Sequence, residues 1–268
     1  MPISVKSELD PMKFTGHMRY DNSMFYEYEN NQDGPRRSSF RSLWQRINVM
    51  LAPLGAPVTT LIIAANVVMF LILTFTGGSE NVYNLVRWGG CANVLVYYGG
   101  QLWRLFTCMF LHAGILHLVV NLFSLYNLGN LIERIFGSAK FTLIYLSSGL
   151  WGSIASTIFA PETAAVVSVG ASGAIFGIAG AILYLGVRSP QFFKRVAGMR
   201  FILIILLNLY IGFTATQINN LAHIGGLIGG FLTSWAVGIP HDVPDTTCKV
   251  LRVFIPVLFI VCIASMIF

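Results

Sequence analysis

The stretch GASGAIFGIAGA, residues 170–181, places one serine, Ser172, inside a run of small residues. Small residues at this spacing favour close packing of helices in a membrane, and alanine would serve that packing as well as serine. Taken alone, Ser172 is therefore explained more readily by packing than by chemistry. Whether it has a chemical role depends on what the rest of the chain brings near it.

The composition predicts an all-α polytopic membrane protein. Of its 268 residues, 55% are hydrophobic and 10% are charged, whereas soluble domains have about 25% charged residues. Crossing a bilayer takes about 20 apolar residues. Runs near this length predict seven spans: 57–75, 114–131, 141–159, 172–187, 199–216, 221–239 and 251–268.

The net charge of +6 is distributed in alternate loops, which argues for membrane topology and against a nucleic-acid surface. Basic residues lie before the first span, after the second, after the fourth and before the seventh. They are Arg36, Arg37, Arg41, Arg46, Arg134, Lys140, Arg188, Lys194, Arg195, Arg200, Lys249 and Arg252. The other loops carry only Arg87 and Arg104. The N-terminus is therefore expected in the cytosol and the C-terminus on the opposite side.

The segments outside the spans carry three further expectations. Residues 1–50 are predicted to be a flexible cytosolic tail without a cleavable signal peptide. Residues 77–107 are rich in aromatic side chains, so this external loop is expected in the lipid headgroup zone. Cys91 and Cys108 fall on the external side, where a disulfide and two free thiols are both open.

Three histidines, His112, His117 and His223, are the only ones in the membrane region. Ionisable groups at membrane depth are costly and usually functional. His117 and Asn121 are four residues apart and therefore share one helix face. For each residue alone, the alternative is a hydrogen bond to a neighbouring helix.

The predicted depth of these polar residues in the membrane favours a functional role over a packing role. The second, fourth and sixth spans start on the external side, with His117, Ser172 and His223 each within about one helical turn of that start. The run 172–187 covers about 24 Å, less than the roughly 30 Å hydrocarbon core. The backbone of residues 161–171 is therefore expected to line a water-filled pocket. Its floor would hold His117, Asn121, Ser172 and His223.

A serine beside a histidine is the arrangement of nucleophilic acyl transfer. No Asp or Glu lies within the seven spans, so a Ser-His dyad is predicted in place of a triad. The developing oxyanion would have three donors: the Ser172 backbone N–H, the Asn121 amide and His117. The cysteines show no paired metal spacing, and neither a metal nor a cofactor is expected.

Four blocks of sequence resemble the rhomboid intramembrane serine proteases. They are WRLFTCMFLHAGILHLVVN (103–121), YNLGNLIERIFGS (126–138), GASG (170–173) and AHIGGLIGG (222–230). They occur in the family's order, and the resemblance covers about residues 45–240. After the predicted tail at 1–50, it implies a six-helix rhomboid core at 51–240, followed by a cytosolic loop with a seventh helix at 241–268.

The resemblance also implies residue roles. Ser172 would be the nucleophile and His223 the base, with His117 and Asn121 serving the oxyanion. Structural support is implied for Trp103, Arg104, His112, Gly170, Gly173, Phe176, Gly226 and Gly230. Phe176 stands where the family often has a tyrosine stacked on the catalytic imidazole. Glu133 and Arg134 would brace the cytosolic turn, although a solvated charge pair explains them equally well.

A seventh span after the core resembles the eukaryotic secretase-type rhomboids, including those of animals and apicomplexan parasites. That likeness implies the secretory pathway or the cell surface, argues against mitochondria, and implies single-pass membrane proteins as substrates, cut in or near their membrane segment to release the ectodomain. Substrate access is expected beside the fifth span. Two alternatives stay open: a rhomboid-like protein that binds membrane clients without cutting them, and a transporter with a histidine proton relay. The sequence leaves the oligomeric state open.

Overall fold

The computed structural model describes residues 55–160, 166–214, 219–239 and 245–266, which are overwhelmingly helical. The tail predicted for residues 1–50 lies outside the described residues, as do residues 161–165 of the approach to Ser172. In chain order the elements are α1 (Pro57–Thr76), α2 (Val82–Arg87), β1 (Cys91–Ala92), α3 (Asn93–Tyr97), α4 (Arg104–Thr107), α5 (Ile115–Ser124), α6 (Asn130–Phe136), α7 (Ser138–Ile158), β2 (Val167–Ser168), α8 (Ser172–Arg188), α9 (Pro190–Val196), α10 (Gly198–Thr214), α11 (Asn220–Val237) and α12 (Thr246–Ala264).

The predicted all-α membrane fold is confirmed. By length and composition, four described helical segments can cross a membrane: α1, the segment Ile115–Phe136, α7 and α12. The apolar parts of α8 and α10 are shorter. The count of seven spans therefore stays a prediction.

Two predicted helix limits were wrong. The second span does not end near residue 131, because α5 continues through a π-helical turn (Leu125–Gly129) into α6. The seventh does not begin at residue 251 but at Thr246, where the Asp245 side chain accepts the Cys248 N–H at 2.7 Å. Asp245 is a favourable N-cap residue, and the hydrophobic run alone does not register it.

Glycines allow the backbones of α8 and α11 to pack in direct contact. A Cβ atom on Gly226 would lie 2.0 Å from the carbonyl oxygen of Gly173, and one on Gly230 would lie 2.1 Å from that of Gly177. No side chain fits at either position. Since lipid removes the hydrophobic drive for helix association, this close packing is a main source of cohesion between membrane helices.

The loop 77–107, which was predicted to be external, is tied to the segment that precedes Ser172. Strands β1 and β2 pair antiparallel, with Cys91 opposite Ser168 and Ala92 opposite Val167. Further along, the Gly170 N–H donates to the Cys108 carbonyl at 2.9 Å. Two-residue strands are too short to show an alternating pattern, so the sequence did not predict this pairing.

Arg104 organises the external loop from within. It is 6% exposed, and its guanidinium donates to the carbonyls of Val86 at 2.6 Å and Gly90 at 3.0 Å. Its cation also lies 4.5 Å from the centroid of the Trp103 ring. Aromatic side chains on the outside of the same loop, including Tyr83 and Tyr98, are largely exposed. Such rings favour the membrane interface.

Cys91 and Cys108 are free thiols, so the possible disulfide is not formed in the structure. Both are buried, and each contacts a hydroxyl of α7: Cys91 Sγ lies 3.5 Å from Thr157 Oγ1, and Cys108 Sγ lies 3.3 Å from Ser153 Oγ. Their role in the described fold is that of small packed side chains.

At the end of the bundle opposite Ser172, Glu133 connects three helices. Its carboxylate accepts the N–H groups of Val58 at 2.9 Å and Thr59 at 2.7 Å, at the start of α1. It also accepts the hydroxyls of Thr59 and Ser138, each at 2.7 Å. The side chain is 2% exposed, whereas Arg134 is exposed. Glu133 is therefore a buried brace.

Glu133→Gln is expected to lower the free energy of unfolding by about 3 kcal/mol, because an amide group replaces an acceptor that faces several donors. Arg134→Gln, next to it and exposed, is the matched control and is expected to have little effect. Thermal unfolding in detergent measures both. Equal stability of the two variants would contradict the bracing role.

Candidate active site

Ser172 and His223 lie in hydrogen-bond contact. Ser172 is the first residue of α8 and is half-buried, while His223 is in the first turn of α11 and is 9% exposed. The Ser172 Oγ is 2.9 Å from the His223 Nε2. The glycine contacts described above set the separation of these two helices. The pair can therefore exchange a proton directly.

Phe176 fixes the plane of the His223 ring. It lies one turn after Ser172 on α8, and its ring stacks on the imidazole with centroids 4.2 Å apart and planes 11° apart. Within the described residues, the other ring nitrogen of His223, Nδ1, is buried without a hydrogen-bond partner. Orientation of the imidazole thus depends on the Phe176 face and on Ser172.

His117, in the first turn of α5, reaches the site because residue 170 is glycine. A Cβ atom on Gly170 would lie 2.7 Å from the His117 Nε2 and 3.8 Å from the Ser172 Oγ. Gly170 also has a φ of +123°, a conformation that other residues rarely adopt. The absence of a side chain places the His117 ring beside the serine.

His112 packs under His117. Their ring centroids are 5.1 Å apart at an interplanar angle of 65°, and His112 is fully buried. Burial, and secondarily the neighbouring His117, lowers the pKa of His112. A neutral His112 in this edge contact supports the position of His117 without adding charge.

Asn121 lies one turn beyond His117 on α5 and is 5% exposed. Its Nδ2 donates to the His117 carbonyl at 2.8 Å. This bond uses one of the two N–H groups of the amide and orients the side chain on the same helix face as His117. The structure therefore places His117 near Ser172, and it places Asn121 one helical turn further along α5.

Asn219 is a site residue that sequence reasoning missed. Its Oδ1 accepts the Ala222 N–H at 3.1 Å, which caps the helix that carries His223. Its Nδ2 donates to the hydroxyls of Ser156 and Ser168, which lie 2.9 Å from each other. An asparagine before an apolar helix is a capping signal, but its partners on α7 and β2 are tertiary contacts.

No group of three or more His, Cys, Asp or Glu side chains in the described ranges is placed to hold a metal ion. Two of the carboxylates there are engaged elsewhere: Glu133 braces α1, and Asp245 pairs with Arg188 at 3.0 Å. The groups gathered around Ser172 are imidazoles and amide donors. That the protein needs no metal or cofactor stays a prediction.

Comparison with known proteins identifies the family. The Rhomboid domain family matches residues 99–240, which include all of the side chains described above around Ser172. This chain belongs to the rhomboid family. The match begins inside the external loop and ends just after α11, so it covers most of the core that the four blocks of sequence predicted.

Three relatives show the range of the similarity. "Rhomboid protease GluP" of Bacillus subtilis is 46% identical over 187 residues, which cover 69% of this chain and 36% of that protein. "RHOMBOID-like protein 6, mitochondrial" of Arabidopsis thaliana is 44% identical over 138 residues, covering 51% of this chain and 44% of the relative. "Putative rhomboid protease YdcA" of Bacillus subtilis is 34% identical over 182 residues, covering 67% of this chain and 87% of the relative.

This rhomboid chain thus spans less than half the length of the first two relatives and most of the third. The relatives come from bacteria and a plant, and one carries a mitochondrial name. Assignment to the eukaryotic secretase type, with its secretory location, therefore stays a prediction.

Phe176→Leu is expected to slow the labelling of Ser172 by a fluorophosphonate about tenfold, because an aromatic stacking contact contributes about 0.5–1.5 kcal/mol. Phe176→Tyr keeps the ring and is expected to react at the wild-type rate. Gel fluorescence over time measures the rates, and a thermal unfolding curve checks that both variants are folded. Wild-type labelling of a folded Phe176→Leu would contradict the orienting role.

Proposed function

We propose that this rhomboid protein is an intramembrane serine endopeptidase that hydrolyses a peptide bond in or next to the membrane segment of another membrane protein. The observation that carries the proposal is the 2.9 Å contact between Ser172 Oγ and His223 Nε2 on two separate helices. Family membership supports it independently. Neither metal nor cofactor takes part in the proposed reaction.

Acylation uses the pair directly. His223 Nε2 accepts the Ser172 hydroxyl proton as Oγ bonds to the scissile carbonyl carbon. The resulting tetrahedral intermediate collapses when the C–N bond breaks and the imidazolium gives its proton to the leaving amine. Phe176 keeps the imidazole aligned through both transfers. The fixed ring plane takes the place of an orienting carboxylate.

The oxyanion is assigned to three donors. The Ser172 N–H lies at the N-terminus of α8, where backbone N–H groups point out of the helix and favour negative charge. His117 and the second N–H of the Asn121 amide are the side-chain donors. The position of the His117 ring against Gly170 supports this assignment.

Deacylation reverses the roles. A water molecule gives a proton to His223 Nε2 while its oxygen attacks the acyl carbon, and the proton then returns to Ser172 Oγ as the ester bond breaks. Water must therefore reach the end of α8. The 17 residues of α8 span about 26 Å, less than the hydrocarbon core of roughly 30 Å, which supports a hydrated floor below the outer surface.

The proposed substrates are single-pass membrane proteins, whose ectodomains the cut would release. A substrate helix must unwind to present its carbonyl, so helix-destabilising residues are expected near the cleaved bond. Access is assigned to the side of α10, the fifth predicted span. Four of its large side chains, Leu203, Leu206, Leu207 and Tyr210, are more than half exposed, so it has little packing to break.

The proposed organisation follows the sequence expectations. The proteolytic core occupies residues 51–240, preceded by a cytosolic tail at 1–50 and followed by a loop and the α12 helix at 241–268. The protein acts in the secretory pathway or at the cell surface. A client-binding rhomboid without activity would have no use for the Ser172 and His223 contact, and a histidine relay would have no use for the serine.

Ser172→Ala and His223→Ala are each expected to reduce cleavage of a single-pass membrane reporter at least about 1,000-fold, because the members of such a unit act together. Asn121→Ala, which removes one oxyanion donor, is expected to cost about 100-fold. Cleavage is read on gels with purified protein in liposomes. Undiminished cleavage by folded Ser172→Ala would refute the proposal, and failure of wild type to bind fluorophosphonate would favour a client-binding protein.

Joining α10 to α5 with a bifunctional reagent, through one cysteine introduced on each helix, is expected to block cleavage of the membrane reporter. Labelling of Ser172 by a small fluorophosphonate should continue at the wild-type rate, because that reagent needs no lateral opening. The same two cysteines left unlinked are the control. Full cleavage after complete cross-linking would place the access route elsewhere.

A further inference from the structure

Two consecutive asparagines at the start of α11 connect that helix to different parts of the bundle. Asn219, the residue before the helix, donates to Ser156 of α7 and Ser168 of β2. Asn220, the first residue of the helix, donates its Nδ2 to the Leu209 carbonyl of α10 at 2.9 Å. The first amide therefore attaches α11 to α7 and β2, and the second attaches it to the helix beside which substrate entry is proposed.

The Asn220 amide is buried, and its hydrogen-bonding capacity is not fully used. The residue is 8% exposed, and within the part of the chain that the structure describes its Oδ1 is buried without a hydrogen-bond partner. An amide side chain can accept through this oxygen as well as donate through its nitrogen. A buried acceptor without a partner costs free energy, so the contact with Leu209 stabilises the structure less than a fully satisfied amide would.

The helix that receives this bond is loosely packed. Three large side chains of α10, those of Leu203, Leu207 and Tyr210, are more than half exposed. The contact of α8 with α11 is different, because Gly226 lies against the Gly173 backbone with no room for a Cβ atom. Moving α10 away from α11 therefore disturbs much less packing than moving α8 would.

The bond can break without unwinding α10 and without moving His223. A carbonyl has two lone pairs, and the α-helix itself uses one of them. Asn219 meanwhile keeps its bonds to α7 and β2, and its Oδ1 still accepts the Ala222 N–H at 3.1 Å. The start of α11 stays in place as a result, and α10 is the helix that moves.

We propose that Asn220 is a latch on substrate entry, whose bond to the Leu209 carbonyl holds α10 against α11 until α10 moves outward. This inference rests on the proposed function, in which the substrate enters beside α10. A hydrogen bond between two membrane helices contributes little on average, so an opened state is populated without an external signal. Asn220 is thus a positioning residue, which acts on the substrate through α10.

Asn220→Leu removes the bond and keeps a branched side chain of the same shape. Cleavage of the membrane reporter by this variant in liposomes is expected to show a KM about threefold lower than that of wild type and an unchanged kcat. Threefold corresponds to about 0.6 kcal/mol, the average for one hydrogen bond between membrane helices. The apparent affinity rises because a larger fraction of the protein is open to substrate. An unchanged or higher KM would overturn the proposal.

Asn208→Leu is the matched control. Asn208 is an exposed asparagine of α10, and its Nδ2 donates to the Ile204 carbonyl of the same helix at 2.8 Å. Its replacement removes an amide from α10 and leaves the bond to α11 intact, so KM is expected to match that of wild type. An equal fall of KM in Asn208→Leu would also overturn the proposal. Should Asn220→Leu fail to fold, Asn220→Ala makes the same test.

A distance measurement tests the latch without any proteolysis. Cysteines introduced at Leu207 of α10 and Ile228 of α11, both more than half exposed, carry spin labels in a chain with Cys262→Ser. Pulsed electron resonance should show longer distances for Asn220→Leu than for the otherwise identical chain with Asn220, and identical distributions would overturn the proposal. Fluorophosphonate labelling of Ser172 is expected at the wild-type rate in all variants. Its failure in wild type would count against the proposed function, and the distances would still test the latch.

Discussion

The backbone contact between α8 and α11 is the constraint on which the site depends. Gly226 contacts the Gly173 backbone with no room for a Cβ atom of its own, and Gly230 repeats the contact against Gly177 one turn deeper. A hydroxyl on the first residue of one helix and an imidazole on the first turn of the other can then approach to 2.9 Å. Any larger residue in the seam would move the two helices apart by ångströms, and a proton transfer does not tolerate that change.

The loop 77–107 supplies a second constraint, because it fixes the position of the chain before α8. Pairing of Cys91 with Ser168 and the bond from Gly170 to Cys108 attach this segment to the loop. Asn219 then connects Ser168 to the start of α11. The starts of both helices are therefore held by one hydrogen-bonded group at the Ser172 end of the bundle, while Glu133 holds the helices at the other end.

The sequence could predict where helices lie and which polar residues share a helix face, because both follow from local patterns. Apolar runs located α1, α7 and α8 to within a few residues, and helical spacing placed His117 and Asn121 on one face. It could not predict the β1 and β2 pairing or the partners of Asn219, which depend on segments distant in the chain. The start of α12 was misplaced for a related reason: its first turn is polar, and only the Asp245 cap marks it.

The small residues around Ser172 do not share one physical cause. Gly170 lacks a side chain because the His117 ring occupies that space, and its positive φ also requires glycine. Gly173 is not required in the same way, because a Cβ atom there would lie 3.4 Å from the Ala222 carbonyl oxygen, an ordinary contact; the tight position in the contact between Gly173 and Gly226 is Gly226. Ser172 faces neither constraint; its side chain points at His223. Packing therefore explains the glycine before Ser172, and it does not explain the hydroxyl that follows.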